Sequence, residues 1–406
     1  MDGALPQVNE APGAVIVSDN LTALGLVRSL APLGVACTVC AWNALGPARY
    51  SRHARVVACA PPSAGRAFVD ALLTIGRAFP QPPVLLVTDE SSMLLVEHVR
   101  EELSSHFLLT LPGPTQFGQV VSKAQLHDLA AAAGVPIPET WLCSGSAVPP
   151  GLPYPLVMKP TQRVVWAGED RLRSFRQEFG CKALLVDSAD RAQAFAARAY
   201  QLGFEMLLQR PVPGPVQHLL TAGVFAAADG ARALFTARKL AQVPADFGDG
   251  SVVEGVRLPE LQPYVWRLID HAGFRGLADI EFKRDGLDGQ LKLLDVNPRP
   301  WLWVELATRC GVNLPYLLYC DTVHRRSGPI PTQTAERVVW CSVRSLVRSL
   351  RQQGLWDCRP LLSGLVSVAR GAGIEATLAR DDLLWRMLLT PRFWRDAVRT
   401  ARGQLA

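Results

Sequence analysis

The chain is predicted to be a mixed α/β and α+β protein: an open parallel layer, then a small lid, an antiparallel sheet and a helical extension. Three observations carry that prediction. Short apolar runs alternate with helical periods over the first 112 residues; two pairs of alternating runs are joined by Asp-Gly turns in the second half; and amphipathic helical spacing dominates after Pro329. The expected divisions are 1–112, 113–325 with a lid at about 143–212, and 326–406.

Each element has a local reason. "GAVIVSD" is a β-branched run, and Leu21, Leu24, Val27 and Leu30 then recur at helical spacing before Gly34 ends the helix. "VACTVCAW" and "PVLLVTDE" read as further strands of a parallel layer over about 14–112. The first strand-to-helix turn, "SDNLTALG", lacks the glycines that let a pyrophosphate approach a helix start, so the layer is Rossmann-like in pattern without being a dinucleotide site. "LPGPTQFG" is a linker, and strand, helix and strand from "YPLVMKP" to "FEMLLQRPVPG" form the lid. Asp229-Gly230 centres one hairpin, and Asp285-Gly286 with Asp288-Gly289 a second. "RVVWCSVRSLVRSLRQQ" is the clearest amphipathic stretch of the extension.

Composition excludes several classes. Apolar residues make up 49% and charged residues 19%, which suits a folded globule and not a disordered chain. The first residues resemble no secretion signal, and the longest uncharged runs are broken by proline or carry polar side chains and so do not qualify as membrane spans; a soluble, cytoplasmic protein is expected. Nine cysteines without framework spacing read as free thiols; Cys37 and Cys40 would point to opposite faces of their strand, which argues against zinc. The net charge of +6 is local: from Pro331 onward there are twelve Arg, no Lys and six acids. That tail, with Arg344, Arg348, Arg351 and Arg395, is a candidate surface for an acidic partner or an anionic membrane, although a solvated helical face or a tail packed on the core reads the same. No nucleic-acid partner is expected, and a dimer is a compatible assembly.

The chemistry concentrates in the second hairpin. Alternation places Asp279 and Glu281 on one strand face, and Leu293, Asp295 and Asn297 together on the partner run. If the runs pair, Glu281, Asp295 and Asn297 converge as oxygen donors suited to Mg²⁺, with Mn²⁺ as an alternative; a solvated hairpin face is the rival reading. Pro298, Trp301 and Trp303 argue for a fixed, packed loop. Lys159 ends the apolar run "YPLVMKP" and needs an anion if buried. Lys123, Arg238 and Lys239 add cations, and no P-loop, H-E-x-x-H or G-x-S-x-G motif is present.

In this order, Lys123, "YPLVMKP", "MLLQRPVPG", Arg238-Lys239, "GLADIEFKRD" and "LLDVNPRPW" resemble the ATP-grasp superfamily over roughly 113–320. The preceding layer resembles the pre-ATP-grasp domain. Within the superfamily, "NLTALGLVRSLAPLGV", "EFKRDGLDGQLKLLDVNPRPW" and "GVNLPYLLYCD" are similar to carboxylate-amine ligases of the D-aspartate ligase-like group. The resemblance implies that Lys123, Lys159 and Lys239 serve ATP, that the segment around Gln209 and Val212 reads adenine, and that Glu281, Asp295 and Asn297 bind Mg²⁺. Arg299, assisted by Arg238, would face the γ-phosphate or acyl-phosphate oxygens. Three departures stand out: "TQRVVWAGEDRLRSF", with Arg163, replaces a glycine-rich flap; Arg210 stands where an acid is frequent; and Asp295 replaces a glutamate.

The implied activity is ATP-dependent amide formation between a small carboxylate and an amine through an acyl phosphate, with ADP and phosphate released. An ATP-binding sensor or scaffold without ligase activity is the alternative, as is a ligase with a thiol or hydroxyl acceptor. Asp246, Asp249 and Glu254 in "PADFGDGSVVEG" are candidate amine contacts, though a solvated acidic loop has the same pattern.

Overall fold

The computed structural model describes residues 11–43, 45–161, 175, 178–180, 183–244, 246–325, 328–342, 359–379 and 382. The run Ala14–Val17 forms β1, buried throughout, and Asn20 caps α1 (Leu21–Leu30) by accepting a hydrogen bond from the Ala23 amide. The layer continues with β2 (Cys37–Ala41), β3 (Ala54–Ala58), α2 (Arg66–Arg77), β4 (Val84–Val87), α3 (Glu90–His98), α4 (Arg100–Ser104) and β5 (Leu108–Leu109). Its strands run in the order β3-β2-β1-β4-β5, all parallel, as the alternation predicts. Cys37 and Cys40 enter cores on opposite sides of this sheet. At the glycine-free turn after β1, Ser18 itself takes the left-handed conformation, φ 95°.

Two helices, α5 (Pro114–Val121) and α6 (Lys123–Ala132), lead into a second sheet. It contains β6 (Thr140–Leu142), β7 (Leu156–Pro160), β8 (Leu184–Val186) and β9 (Met206–Gln209) in the antiparallel order β6-β9-β7-β8. α7 (Ala189–Gln201) covers one face through Ala192, Ala196 and Ala199, which pack with Phe204, Met206 and Leu208. Most of the loop after Lys159, Arg163 included, lies outside the described residues.

The third sheet positions the site. β10 (Leu219–Ala226) and β11 (Arg232–Val243) form the Asp229-Gly230 hairpin, and β13 (Gly276–Arg284) and β14 (Leu291–Asn297) form the second. With β12 (Asp249–Gly255), β15 (Val339–Cys341) and β16 (Gly373–Glu375) the order is β14-β13-β10-β11-β12-β15-β16. One face buries Ile280, Phe282 and Leu293 against α6 and α8 (Gln262–Ala272). The other packs Phe225, Phe235 and Trp301 against α1, α9 (Val304–Arg309) and α10 (Leu314–His324). Each such side chain contributes about 1.5–3 kcal/mol by leaving water.

Two expectations need correction. Within "RVVWCSVRSLVRSLRQQ", Val339–Cys341 is a strand, not helix: its β-branched and aromatic residues complete a ladder against β12, where Val253 faces Trp340. The rest of that stretch from residue 343, with Arg344, Arg348, Arg351 and also Arg395, lies outside the described residues; α11 (Arg359–Ala369) is helical as expected. The second correction concerns Leu293, which does not share a face with Asp295. Glu281 pairs with Asp295 but the next residue, Phe282, pairs with Leu293, so Leu294 is an extra residue in a β-bulge. The bulge turns Leu293 into the core while Asp295 keeps to the face of Glu281.

Candidate active site

On the face of the third sheet that borders the second sheet, strand register assembles a row of charge. Glu281 lies opposite Asp295, and one step along Asp279 lies opposite Asn297. Two facing carboxylates repel. Each is met by a lysine: Lys239 Nζ donates to Glu281 Oε1 at 2.8 Å, and Lys123 Nζ donates to Asp295 Oδ1. The lysine side chains are only 5% and 6% exposed, so each buried charge is compensated by its partner. Burial opposes the charge on Lys239, but the Glu281 carboxylate outweighs it and holds the ammonium above the usual lysine range.

The second sheet supplies the opposite wall. Lys159, at the end of β7, donates to Gln209 Oε1 at 3.0 Å, and Gln209 Nε2 donates in turn to Thr140 Oγ1 at 2.9 Å. This chain orients Lys159 beside the segment Gln209–Val212 that leaves β9. Between the walls lies a cleft of about 450 Å³, bordered by Lys123, Lys159, Lys239, Glu281, Asp295 and Arg299, with Gln209 and Val212 also at its edge.

The loop after β14 is as packed as its tryptophans predict. Trp301 and Trp303 are 2% and 3% exposed. A Cβ at Gly223 would lie 2.3 Å from Trp301 Cη2, and one at Gly250 would lie 2.8 Å from Trp303 Cζ3, so these glycines make room for the indoles. Lys239 Nζ also sits 5.4 Å from the centre of the Trp303 ring.

Two predicted residues are placed elsewhere. Arg238 precedes Lys239 on β11 and therefore points to the opposite sheet face, where it pairs with Glu254 at 2.7 Å in an exposed position. That pairing also takes Glu254 away from the cleft. Asn297 keeps to the carboxylate face but stands outside the residues that line the cleft. Other residues are additions. Asp279, buried, accepts a hydrogen bond from Thr221, and burial together with the Glu281 carboxylate raises it to about 7. Lys283 borders the cleft, and burial lowers it from the usual lysine range. The alternation Asp279, Glu281, Lys283 was readable in sequence; Glu90, which reaches the cleft from α3, required the tertiary fold. Asp246 lines the cleft as the loop reading allows, next to Phe247, a 40% exposed aromatic held at φ 55°.

The donor set suits a hard divalent cation. Glu281 and Asp295 are all-oxygen ligands on facing strands, and Mg²⁺ takes one or two carboxylates and completes its shell with water and phosphate oxygens. Among the described residues no group of three or more His, Cys, Asp and Glu could hold a metal ion.

No protein-family model matches the chain. Over 337 residues it is 21% identical to D-aspartate ligase from Enterococcus faecium (strain Aus0004), covering 78% of each protein. Its backbone superposes on N5-carboxyaminoimidazole ribonucleotide synthetase, solved with ADP, with a TM-score of 0.60 at 15% identity over 81% of each chain. The fold is the ATP-grasp fold. An L-amino acid ligase from Bacillus licheniformis gives a TM-score of 0.58 at 15% identity over 78% of this chain and 75% of that one. Biotin carboxylase from Campylobacter jejuni, solved as a β-γ-ATP complex, gives 0.60 at 14% over 80% and 74%. The ATP-grasp resemblance read from the hairpin motifs therefore stands in both sequence and backbone, and the relative is of the D-aspartate ligase type. No helix among the described residues is long and apolar enough to cross a membrane.

Proposed function

We propose that the chain is an ATP-dependent carboxylate-amine ligase. The observation that supports this most directly is the meeting of Lys123, Lys159, Lys239 and Arg299 with Glu281 and Asp295 around one cleft. Four cations placed in a partly desolvated site suit a triphosphate, whose transfer needs positioning and charge stabilisation more than covalent chemistry.

In this reading the segment Gln209–Val212 borders adenine, Lys159 and Lys123 hold phosphate oxygens, and Lys239 orients Glu281. Glu281 and Asp295, with Asn297 adjacent, would hold Mg²⁺. A cation there supplies neutralisation of the charge on the transferring phosphoryl group. A substrate carboxylate oxygen attacks the γ-phosphorus, the bond to the β-phosphate oxygen breaks, and ADP and an acyl phosphate result. Arg299 faces the acyl-phosphate oxygens. An amine nitrogen then attacks the acyl carbon, phosphate leaves, and the nitrogen loses a proton to give the amide. Because acyl phosphates hydrolyse, the lid at about 143–212 closes over the cleft during the reaction.

The test is ADP release with MgATP and paired pools of small carboxylic acids and amines. Release should require one member of each pool, and the product mass should equal acid plus amine minus water. Glu281→Gln should lower that rate by at least about 100-fold while leaving the circular dichroism spectrum unchanged. ADP release that needs no acid, or a product lacking the amine nitrogen, sinks the carboxylate-amine reading.

A further inference from the structure

Arg28 lies on α1, in the N-terminal layer, yet its side chain is only 6% exposed because it is wrapped by two distant segments. Its Nε donates to Asp382 Oδ2 at 3.2 Å, Nη1 to Glu305 Oε2 at 3.5 Å and to the Ala376 carbonyl at 3.2 Å, and Nη2 to the Thr377 carbonyl at 2.8 Å. Asp382 is fully buried and is further held by Ser51 Oγ at 2.9 Å and the Arg52 amide at 3.0 Å. One guanidinium thus joins the first helix, the segment after β16 and the first turn of α9. The fork geometry of arginine suits this task, since it presents its donors in fixed directions to several acceptors at once.

The second fact is where α9 begins. It follows the loop Asn297–Trp303 that carries Arg299 into the cleft, and the amides of Val304 and Leu306 bond the carbonyls of Trp301 and Trp303 at 3.0 and 2.9 Å. α1 is fitted closely to it: a Cβ at Gly25 would lie 3.1 Å from Val304 Cγ1 and 3.5 Å from Glu305 Cβ. Ser29 Oγ hydrogen-bonds Thr308 Oγ1 at 2.8 Å on the next turn, and Asn313 Nδ2 donates to the Ser29 carbonyl at 2.7 Å.

We infer that Arg28 is a positioning residue, which clasps Ala376, Thr377 and Asp382 to α9 and so fixes the loop that aims Arg299 at the cleft. The described part of the C-terminal extension then belongs to the scaffold of the site and is not an appendage to it. That Arg299 serves phosphoryl chemistry rests on the ligase reading; the clasp does not.

Amide hydrogen exchange of the full chain, without nucleotide or substrate, tests the clasp. In Arg28→Ala, exchange over residues 299–309 should accelerate about ten-fold or more, because the contacts of Arg28 to α9 and to Ala376, Thr377 and Asp382 are lost, while α8 keeps its wild-type rate. If Arg28→Ala fails to fold, Arg28→Lys, which keeps the charge but lacks the fork, should give a smaller acceleration confined to the same residues. Asp382→Asn should act in the same direction. Unchanged exchange over 299–309, or an equal rise in α8, overturns the clasp. Because exchange is read without turnover, failure of the ligase reading leaves this result intact.

Discussion

Lys123 and Asp295 form a buried pair, and removing one partner strands the other in a site of low dielectric. Lys123→Met should therefore lower unfolding free energy by about 3 kcal/mol in chelator. Millimolar Mg²⁺ should restore part of that loss, because a cation at Asp295 replaces the missing ammonium; urea titrations with and without Mg²⁺ measure both effects. Arg238 and Lys239 are chain neighbours with opposite expectations. Arg238→Ala removes an exposed pair and should cost less than about 1 kcal/mol, with ADP release nearly unchanged. Lys239→Met should reduce release by about 100-fold. Asp19, at the turn after β1, is 1% exposed, and burial raises it from its ordinary 3.8 to about 6. The sign follows from proton binding: between pH 4 and 6 the unfolded chain loses its proton first, so rising pH favours unfolding, by up to about 3 kcal/mol. Asp19→Asn keeps an acceptor for the Asn43 amide and should flatten that fall, which thermal midpoints across pH 4–7 will show.

At the scale of the element, the bulge at Leu294 separates a core residue, Leu293, from the cleft carboxylate Asp295, which simple alternation would put on one face. Leu293→Ala should cost about 2–4 kcal/mol of stability through its cavity, with little effect on ADP release below the melting range. Gly223→Val should act through the site loop: its side chain collides with Trp301 and should displace the turn that carries Arg299, lowering turnover as well as stability, by about 1–3 kcal/mol for the latter. Measuring both quantities on both variants separates core packing from loop placement.

For the whole molecule, the cleft is built by elements distant in sequence, so nucleotide binding should tie the lid to the third sheet. MgATP at about 100 times its dissociation constant should stabilise the native state by about 2.7 kcal/mol, and chelator should abolish most of that gain. The N-terminal layer takes part through Glu90 at the cleft and through α1 against α9. A variant that loosens the α1 contact should therefore weaken cooperativity between the layer and the third sheet in a thermal scan.

Much of this protein was legible in its sequence because the signals are local. Parallel alternation over 14–112 and both Asp-Gly hairpins follow from side-chain period and turn chemistry, which need no distant contact, whereas the shared face of Glu281 and Asp295 depends on the Leu294 bulge. The motif order also carried the ATP-grasp resemblance. What only the tertiary structure decided depends on register and on partners far along the chain. The Leu294 bulge is invisible to alternation, since one added residue changes which side chains share a face. The face of Arg238 was readable from its neighbour Lys239, but which face bordered the cleft was not until the sheet was packed between α6 and α1. The strand at Val339–Cys341 exists because β12 offers it an edge, and the Arg28 clasp exists because residues more than 270 positions apart are folded together. Local chemistry specified the parts of the site; burial and pairing between remote segments specified which of those parts face one another.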